Sequence, residues 1–390
     1  MFIIIKLLLN KTKGSKLLSY YIDFCMRNDF KGKSKEEINN KLNEIIQIFI
    51  FITDKVDFKL KIEKSMSDRL IKNSYLSLNT EKKFIELLKQ EAGNNYITNM
   101  ATMINDLDNK NKIKDEYNKS KSSLIPKDLK CDINLITMTS WNINKKYTEN
   151  MELSPLLKFI SQDFENYYIS RHFYQKLAWC HGLSKIDIEY LCFKKNGKYI
   201  SKSSTLLQYL ILLQIEKNGK LSLAKIAKNI NCKINLVLED ISGLIFNPSF
   251  NPQHQKDKGI LLGNFDDNTK IFKEDDEVWL NNDFNSAKLI FNTMPLKIKK
   301  SEKEIKDEEK FDEITIKKYQ DNIIQATTTR IMKGLNGKQV QHSWLINEIS
   351  NQIILFNAQP PQIKDNIEKL IEKNIIKRGE KDKSYYEYIA

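Results

Sequence analysis

The side chains able to do chemistry are few in this sequence, and their spacing suits no reaction centre. There are 4 histidines in 390 residues, and the 5 cysteines, Cys25, Cys131, Cys180, Cys192 and Cys232, are an odd number, widely spaced, with no C-x-x-C pair. His172, Cys180, His181 and Cys192 lie close together in the chain. Their spacing fits no common zinc pattern, and the stretch reads as strand, which sends successive side chains to opposite faces. They are read as structural, with no metal. Gly334, Gly337 and Lys338 stand too close for a G-x-x-x-x-G-K phosphate loop, and a helix precedes them where that motif needs a strand. No G-x-S-x-G occurs, and no carboxylate pair separates itself from charged helix faces. Nothing here nominates an active site or a cofactor, and the cysteine usage fits reduced thiols in cytoplasm or nucleus.

A chain of this length predicts two or three domains, and 41% hydrophobic residues are enough to give each a core. Only 12 glycines, well under the usual share of ~7%, favour helices over glycine-rich nucleotide folds. The formal charge of +13, from 63 Lys+Arg against 50 Asp+Glu, raises the question of a nucleic-acid partner. The opening MFIIIKLLLN has the texture of a signal-peptide core, but Lys6 interrupts it and no small-residue cleavage site follows. It is read as a helix entered partway. The apolar run from Ile45 to Ile52 is far shorter than the ~20 residues a bilayer span needs, so no membrane association is expected.

Periodicity divides the rest. From Ser34 to about Ile71 the pattern is helical, with Ile38, Leu42, Ile45, Phe49 and Ile52 on one face and a Ser34–Glu37 capping box at the start. Thr80 and Glu81 open a helix that Gly93 closes, and Tyr96, Met100, Met103, Ile104 and Leu107 mark another. With a helix over Leu17 to Met26 these make a bundle. Residues 132–141, 176–183 and 185–193 read as strands from their alternation and β-branched content. Helices follow over Leu206–Ile215, Leu223–Ile230 and Leu236–Ile245. The tail repeats that order, with helices over Ile314–Met332, Ser343–Ile353 and after Pro360–Pro361, then a strand pair in IIKRGEKDKSYYEYI. Three helices closed by a hairpin form a winged helix. The fold class is mainly α with an α/β part: a helical bundle, a mixed sheet domain, and winged-helix domains including a C-terminal one.

A winged helix invites a DNA-binding reading, since its third helix fits a major groove. Residues 311–390, however, carry 12 Lys+Arg and 10 Asp+Glu, a net of only +2. The third helix sets Asp365, Glu368 and Glu372 beside Lys364, Lys369 and Lys373, which would place carboxylates against phosphates. A winged-helix nucleic-acid-binding protein is the alternative.

Several stretches, in order, resemble the cullin family. TTTRIMKGLNGKQVQHSWLINEI (327–349) and the terminal YYEYIA resemble the cullin tail, where a helix ending R-I-M-K leads into a winged helix. Residues 67–107 resemble the cullin helical bundle. FENYYISRHFYQKLAWCHGLSKIDI (164–188) resembles the stretch in which S-R-H precedes K-L-x-W, nearest the SCF-type class. The organisation this implies is a remnant of the last cullin repeat over 1–33, the four-helix-bundle region over 34–130, an α/β region over 131–203, a winged-helix-like part over 204–296, a charged linker over 297–310, and the C-terminal winged-helix neddylation domain over 311–390.

The resemblance implies a scaffold of a cullin-RING ubiquitin ligase, with a RING-box protein, a ubiquitin-conjugating E2, a Nedd-type modifier with its ligase, and the signalosome as partners. A RING-box strand would add to the sheet placed at 132–193, with Phe164, Tyr167 and Trp179 as candidate anchors that would equally serve as core. Lys333 corresponds to the family's isopeptide acceptor, supported by Arg330, Ile331 and Met332. Arg330, three residues earlier, would sit on the same face and set a like charge beside the amine. Thr328 and Thr329 replace the usual apolar pair, which predicts a more polar face, and Gly334 is expected to end the helix early. The chain would begin in the last part of the family's stalk, so a substrate adaptor is expected only through a stalk upstream. A truncated gene model is the preferred account and a reduced cullin without the usual adaptor platform the other; a truncated paralogue competing for the RING-box subunit is a further functional reading.

Overall fold

The computed structural model describes residues 14–120, 129, 131–141, 143, 151–190, 199–247, 259–265, 272–286, 288–293, 295, 302–335, 337–380 and 382–389. The readings of residues 1–13, of Cys192 and of the first part of the 297–310 run lie outside them. The chain forms two compact units, one of residues 1–108, 134–142 and 300–390, the other of 109–133 and 143–299.

The first unit begins with α1 (Gly14–Phe24), which passes into a π-helical turn over Cys25–Asp29. Helix α2 (Lys35–Ile50) starts on the expected capping box: the Ser34 hydroxyl accepts the Glu37 amide at 3.2 Å, and the Glu37 carboxylate accepts the Ser34 amide at 2.7 Å. The helical run expected through Ile71 breaks at Phe51–Asp54, and α3 (Lys55–Ile71) starts afresh with Asp54 accepting the Asp57 amide at 2.9 Å. Helices α4 (Leu78–Ala92) and α5 (Asn94–Ser120) follow, divided by Gly93 at φ +84°. Arg69 joins the elements: fully buried, it donates to both Glu81 oxygens at 2.9 and 3.0 Å and to Asp23 at 2.7 Å, which satisfies its planar fork.

Residues 132–141 form no strand. Asp106 captures their donors: its carboxylate accepts the Thr137 amide and the Trp141 indole N–H, each at 2.7 Å, while Ser67 donates to the Trp141 carbonyl at 2.6 Å. Trp141 is buried as a plug in the bundle. The alternation marks a segment clamped onto helices, with the Thr137 amide taken by a side-chain acceptor and the Ser140 amide turned back to the Thr137 carbonyl at 3.0 Å.

The same unit holds the C-terminal winged helix: α10 (Glu302–Gly334), β7 (Val340–Gln341), α11 (His342–Gln352), α12 (Pro360–Glu372), β8 (Ile376–Arg378) and β9 (Tyr385–Tyr388). Its sheet runs in the order β7-β9-β8, antiparallel throughout. Residues 302–310, expected as linker, belong to α10, since a Glu- and Lys-rich run free of Gly and Pro favours helix. The apolar core joins Ile324, Met332, Leu345, Ile349, Ile363, Ile367, Leu370 and Ile376, and Val56 of α3 packs into it. Here α3 and the winged helix share backbone pairing too, for the Lys55 amide donates to the Leu355 carbonyl at 2.8 Å.

In the second unit, α6 (Pro155–Ile169) occupies part of the region expected as sheet. Residues 176–183 are irregular and end in a 3₁₀ turn over His181–Leu183, so this expected strand is absent; the Leu183 amide turns back to the Cys180 carbonyl at 2.9 Å. The expected third strand is found as β1 (Lys185–Tyr190), antiparallel to β2 (Tyr199–Thr205), which pairs in parallel with β6 (Ile290–Asn292). Inserted before β6 is a winged-helix fold of α7 (Leu206–Asn218), β3 (Leu221–Ser222), α8 (Leu223–Ile230), α9 (Ile234–Ile245), β4 (Leu261–Gly263) and β5 (Glu277–Leu280), with sheet order β3-β5-β4. One apolar core spans both sheets, from Tyr190, Tyr199 and Phe291 to Leu223, Ile241 and Val278.

Candidate modification site

Lys333 occupies the last turn of α10, which runs through Gly334. Alternating exposure within one turn sets its place. Ile331 and Met332 are buried in the winged-helix core, so the backbone they anchor turns the next side chain outward, and Lys333 is exposed. Past it the chain reverses quickly: the Leu335 amide bonds to the Met332 carbonyl at 3.2 Å and Gly337 takes φ +80°, a conformation suited to glycine. A lysine at a helix C-terminus faces free carbonyls and the negative end of the helix dipole, which holds the cation there without an acidic partner.

The neighbouring residues differ from the sequence expectations in use. Thr328 is fully buried, and its hydroxyl donates to the Ile324 carbonyl at 2.7 Å; Thr329 donates to Gln325 at 2.8 Å. The hydroxyls are satisfied within the helix, so the expected polar face does not arise at Thr328. Gly334 does not shorten the helix before Lys333 but is its last residue. Arg330 directs its guanidinium to α11, donating to Gln352 at 2.9 Å.

The three expected anchors come together, Phe164 in the core and Tyr167 and Trp179 half-buried beside it. Phe164 is buried, edge-on to Tyr117 at 5.1 Å and to Trp179 at 6.1 Å. Tyr167 lies beneath the Arg171 guanidinium at 4.5 Å, and Trp179 donates its indole N–H to Glu165 at 2.5 Å. Phe173 and Tyr174, which the sequence reading passes over, are 79% and 102% exposed in the turn between α6 and β1. Two aromatics directly after S-R-H were the available signal. Among the described residues, strand β1 is an end strand of the sheet β1-β2-β6.

No group of three or more metal-ligating side chains occurs among the described residues. His172 stacks on Tyr168 at 4.4 Å and His181 on Trp179 at 5.8 Å. No described helix is long and apolar enough to cross a membrane. On α12 the exposed face carries Asp365, Glu368 and Glu372.

Family models match three segments: a cullin alpha solenoid domain over residues 3–114, a cullin alpha+beta domain over 135–284, and a cullin protein neddylation domain over 319–382. The chain belongs to the cullin family. It is 27% identical to cullin-1 of Dictyostelium discoideum, over 98% of this chain and 48% of that one. Against cullin-2 of Caenorhabditis elegans the identity is 25%, over 97% and 47%; against human cullin-4A it is 26%, over 97% and 47%. The chain thus spans about half the length of the curated relatives it matches. Lys333 lies inside the neddylation-domain match, and the turn with Phe173 and Tyr174 inside the alpha+beta match.

Proposed function

We propose that this cullin chain is a non-catalytic scaffold of a cullin-RING ubiquitin ligase, of the SCF-like type, switched by a Nedd-type modifier at Lys333. The observation that carries the reading is an exposed lysine at the end of α10, fixed from behind by buried Ile331 and Met332, within a segment matching the neddylation domain. The Lys333 amine would attack the thioester carbonyl of the charged modifier, forming an isopeptide bond and releasing the carrier enzyme's thiol; the proton leaves the amine. The scaffold's contribution to ubiquitin transfer is proximity: a RING-box protein and its ubiquitin-conjugating E2 held in one assembly replace a bimolecular encounter.

Among the described residues β1 is a terminal strand of its sheet, and a partner strand can extend a sheet at such a position through main-chain hydrogen bonds, which supports the RING-box part of the reading. Phe173 and Tyr174 beside it supply exposed aromatic area of the kind that dominates protein interfaces. The modifier's ligase, the signalosome and a location in cytoplasm and nucleus belong to the same proposal. Replacing Lys333 by Arg in cells expressing the tagged chain is expected to abolish a slower-migrating band; a band that persists would overturn the assignment. Phe173→Ala with Tyr174→Ala is expected to reduce co-purification of the RING-box protein at least tenfold.

A further inference from the structure

Helix α3 carries an acid where its packing face calls for an apolar residue. Val56 is buried in the core of the C-terminal winged helix and Leu60 packs against that core. Seven residues on from Val56, on the same helical stripe, stands Glu63. It is 0% exposed, and no well-aligned hydrogen bond reaches either carboxylate oxygen among the described residues; the Asn99 side chain on α5 is near enough to favour the ionised form without closing such a bond.

The groups that act on it electrostatically come from three helices. Lys59, one turn back on α3, is 3.8 Å away; Tyr96 and Asn99 bear on it from α5, and Tyr319 from α10. Asp54 and Asp57, at the start of α3, also act on Tyr96. Lys59 is shared, for its ammonium reaches the Asn95 carbonyl at 3.5 Å and lies 5.5 Å from the Tyr96 ring centroid. One long, shared ion pair does not replace the water an ionised carboxylate loses on burial. Burial pushes the Glu63 carboxyl up to about 7, with Lys59 opposing it.

We propose that Glu63 is a pH-sensitive latch in the seat of the C-terminal winged helix, closing it on α3 when the carboxyl is protonated and loosening it when the carboxyl ionises. Packed, the group keeps its proton up to about 7; opened to water it releases it near the ordinary 4.5. The closed state therefore binds more protons across that interval, so docking is strongest below it, weakens as pH rises through it, and changes no further above about 7. Asp54 adds to the same sign, since burial raises its carboxyl while it accepts from Gln320 of α10 at 3.0 Å.

The Lys55 amide, which donates to Leu355 across this seat, is a direct reporter. Its hydrogen-exchange protection factor in the full chain, with α7 amides as internal reference, is expected to fall roughly 50-fold between about pH 5 and pH 7.5. Glu63→Gln should flatten that dependence and raise protection at the higher pH. Lys59→Met, which removes the cation and leaves the acid, should move the midpoint upward, and Asp54→Asn should keep most of the slope. A flat wild-type profile, or an unchanged slope in Glu63→Gln, would refute the latch. The readout is indifferent to modification at Lys333, so the latch and the scaffold reading fail separately.

Discussion

The two winged helices follow one plan and differ in how they are held. In each, a helix leads into a two-residue strand, two helices and a hairpin, and the first strand pairs with the last: β3-β5-β4 in one unit, β7-β9-β8 in the other. The inner one, α7 to β5, has no core of its own. Its Leu223, Ile241 and Val278 join Tyr190, Tyr199 and Phe291 of the β1-β2-β6 sheet in one apolar cluster. Buried hydroxyls tie it further, for Ser204 lies between Ser201 and Thr293, and Thr293 donates to Gln208 of α7 at 3.1 Å. The C-terminal one closes its own core and takes in only Val56 and Leu60 from α3. The same topology thus serves as a fused structural part in one place and a seated module in the other, and the residue in the seat least suited to burial is Glu63.

The largest effect that would break this contrast comes from core truncation. Ile211→Ala and Ile367→Ala each remove a fully buried side chain, at a cost of about 2–5 kcal/mol. The losses should spread differently. Ile211→Ala is expected to lower exchange protection in β2 as much as in α7, because they share a core. Ile367→Ala should lower it in α12 and the end of α10 while α4, with Phe84 and Leu88 buried in the bundle, stays protected. Equal spread in both variants would mean that the two modules are held alike.

Helix capping sharpens the comparison at a smaller scale. Ser222, at the β3–α8 junction, accepts the Lys225 amide at 3.4 Å, whereas Gln341, in the same place between β7 and α11, caps nothing with its side chain. Ser222→Ala should destabilise the inner fold by about 1 kcal/mol, and Gln341→Ser should stabilise the outer one by a similar amount. Thermal denaturation of each variant checks both signs.

Which of these features the sequence announces depends on how local their causes are. The Ser34–Glu37 box, the helix Leu223–Ile230 and the succession of three helices in both winged helices follow from spacing and cap residues within a few positions, and the structure places them there; strands β3, β4 and β5 of the inner one are too short to announce themselves. The strand expected over residues 132–141 is absent, since the Thr137 amide and the Trp141 indole are claimed by Asp106, about thirty residues away, which no window of alternation contains. Helix α6 was hidden under an aromatic-rich pattern that also suits strands. Lys333 drew notice only through the R-I-M-K resemblance, although buried Ile331–Met332 before a glycine was a physical reason to expect exposure. Glu63 reads as one more charge on a helix face, and only the folded packing shows it to be fully buried.

The smallest effect opposes the latch in sign and lies in the outer module alone. Where the inner fold has fully buried Leu223, the outer one has His342, whose Nδ1 meets the Tyr386 hydroxyl at 2.8 Å. Burial lowers the His342 pKa below its ordinary 6.5, and Lys364 and Arg378 push the same way while Glu368 opposes. The folded winged helix therefore resists taking up a proton that the unfolded chain accepts, so its stability is intact above about 6.5 and declines as pH falls below it. His342→Leu should remove that decline. The measurement is the outer module's own unfolding between about pH 5 and pH 7, followed in α12 amides. Over the same interval docking on α3 should tighten as acid is added, so a module that melts more easily while seating more firmly would separate its internal packing from its attachment.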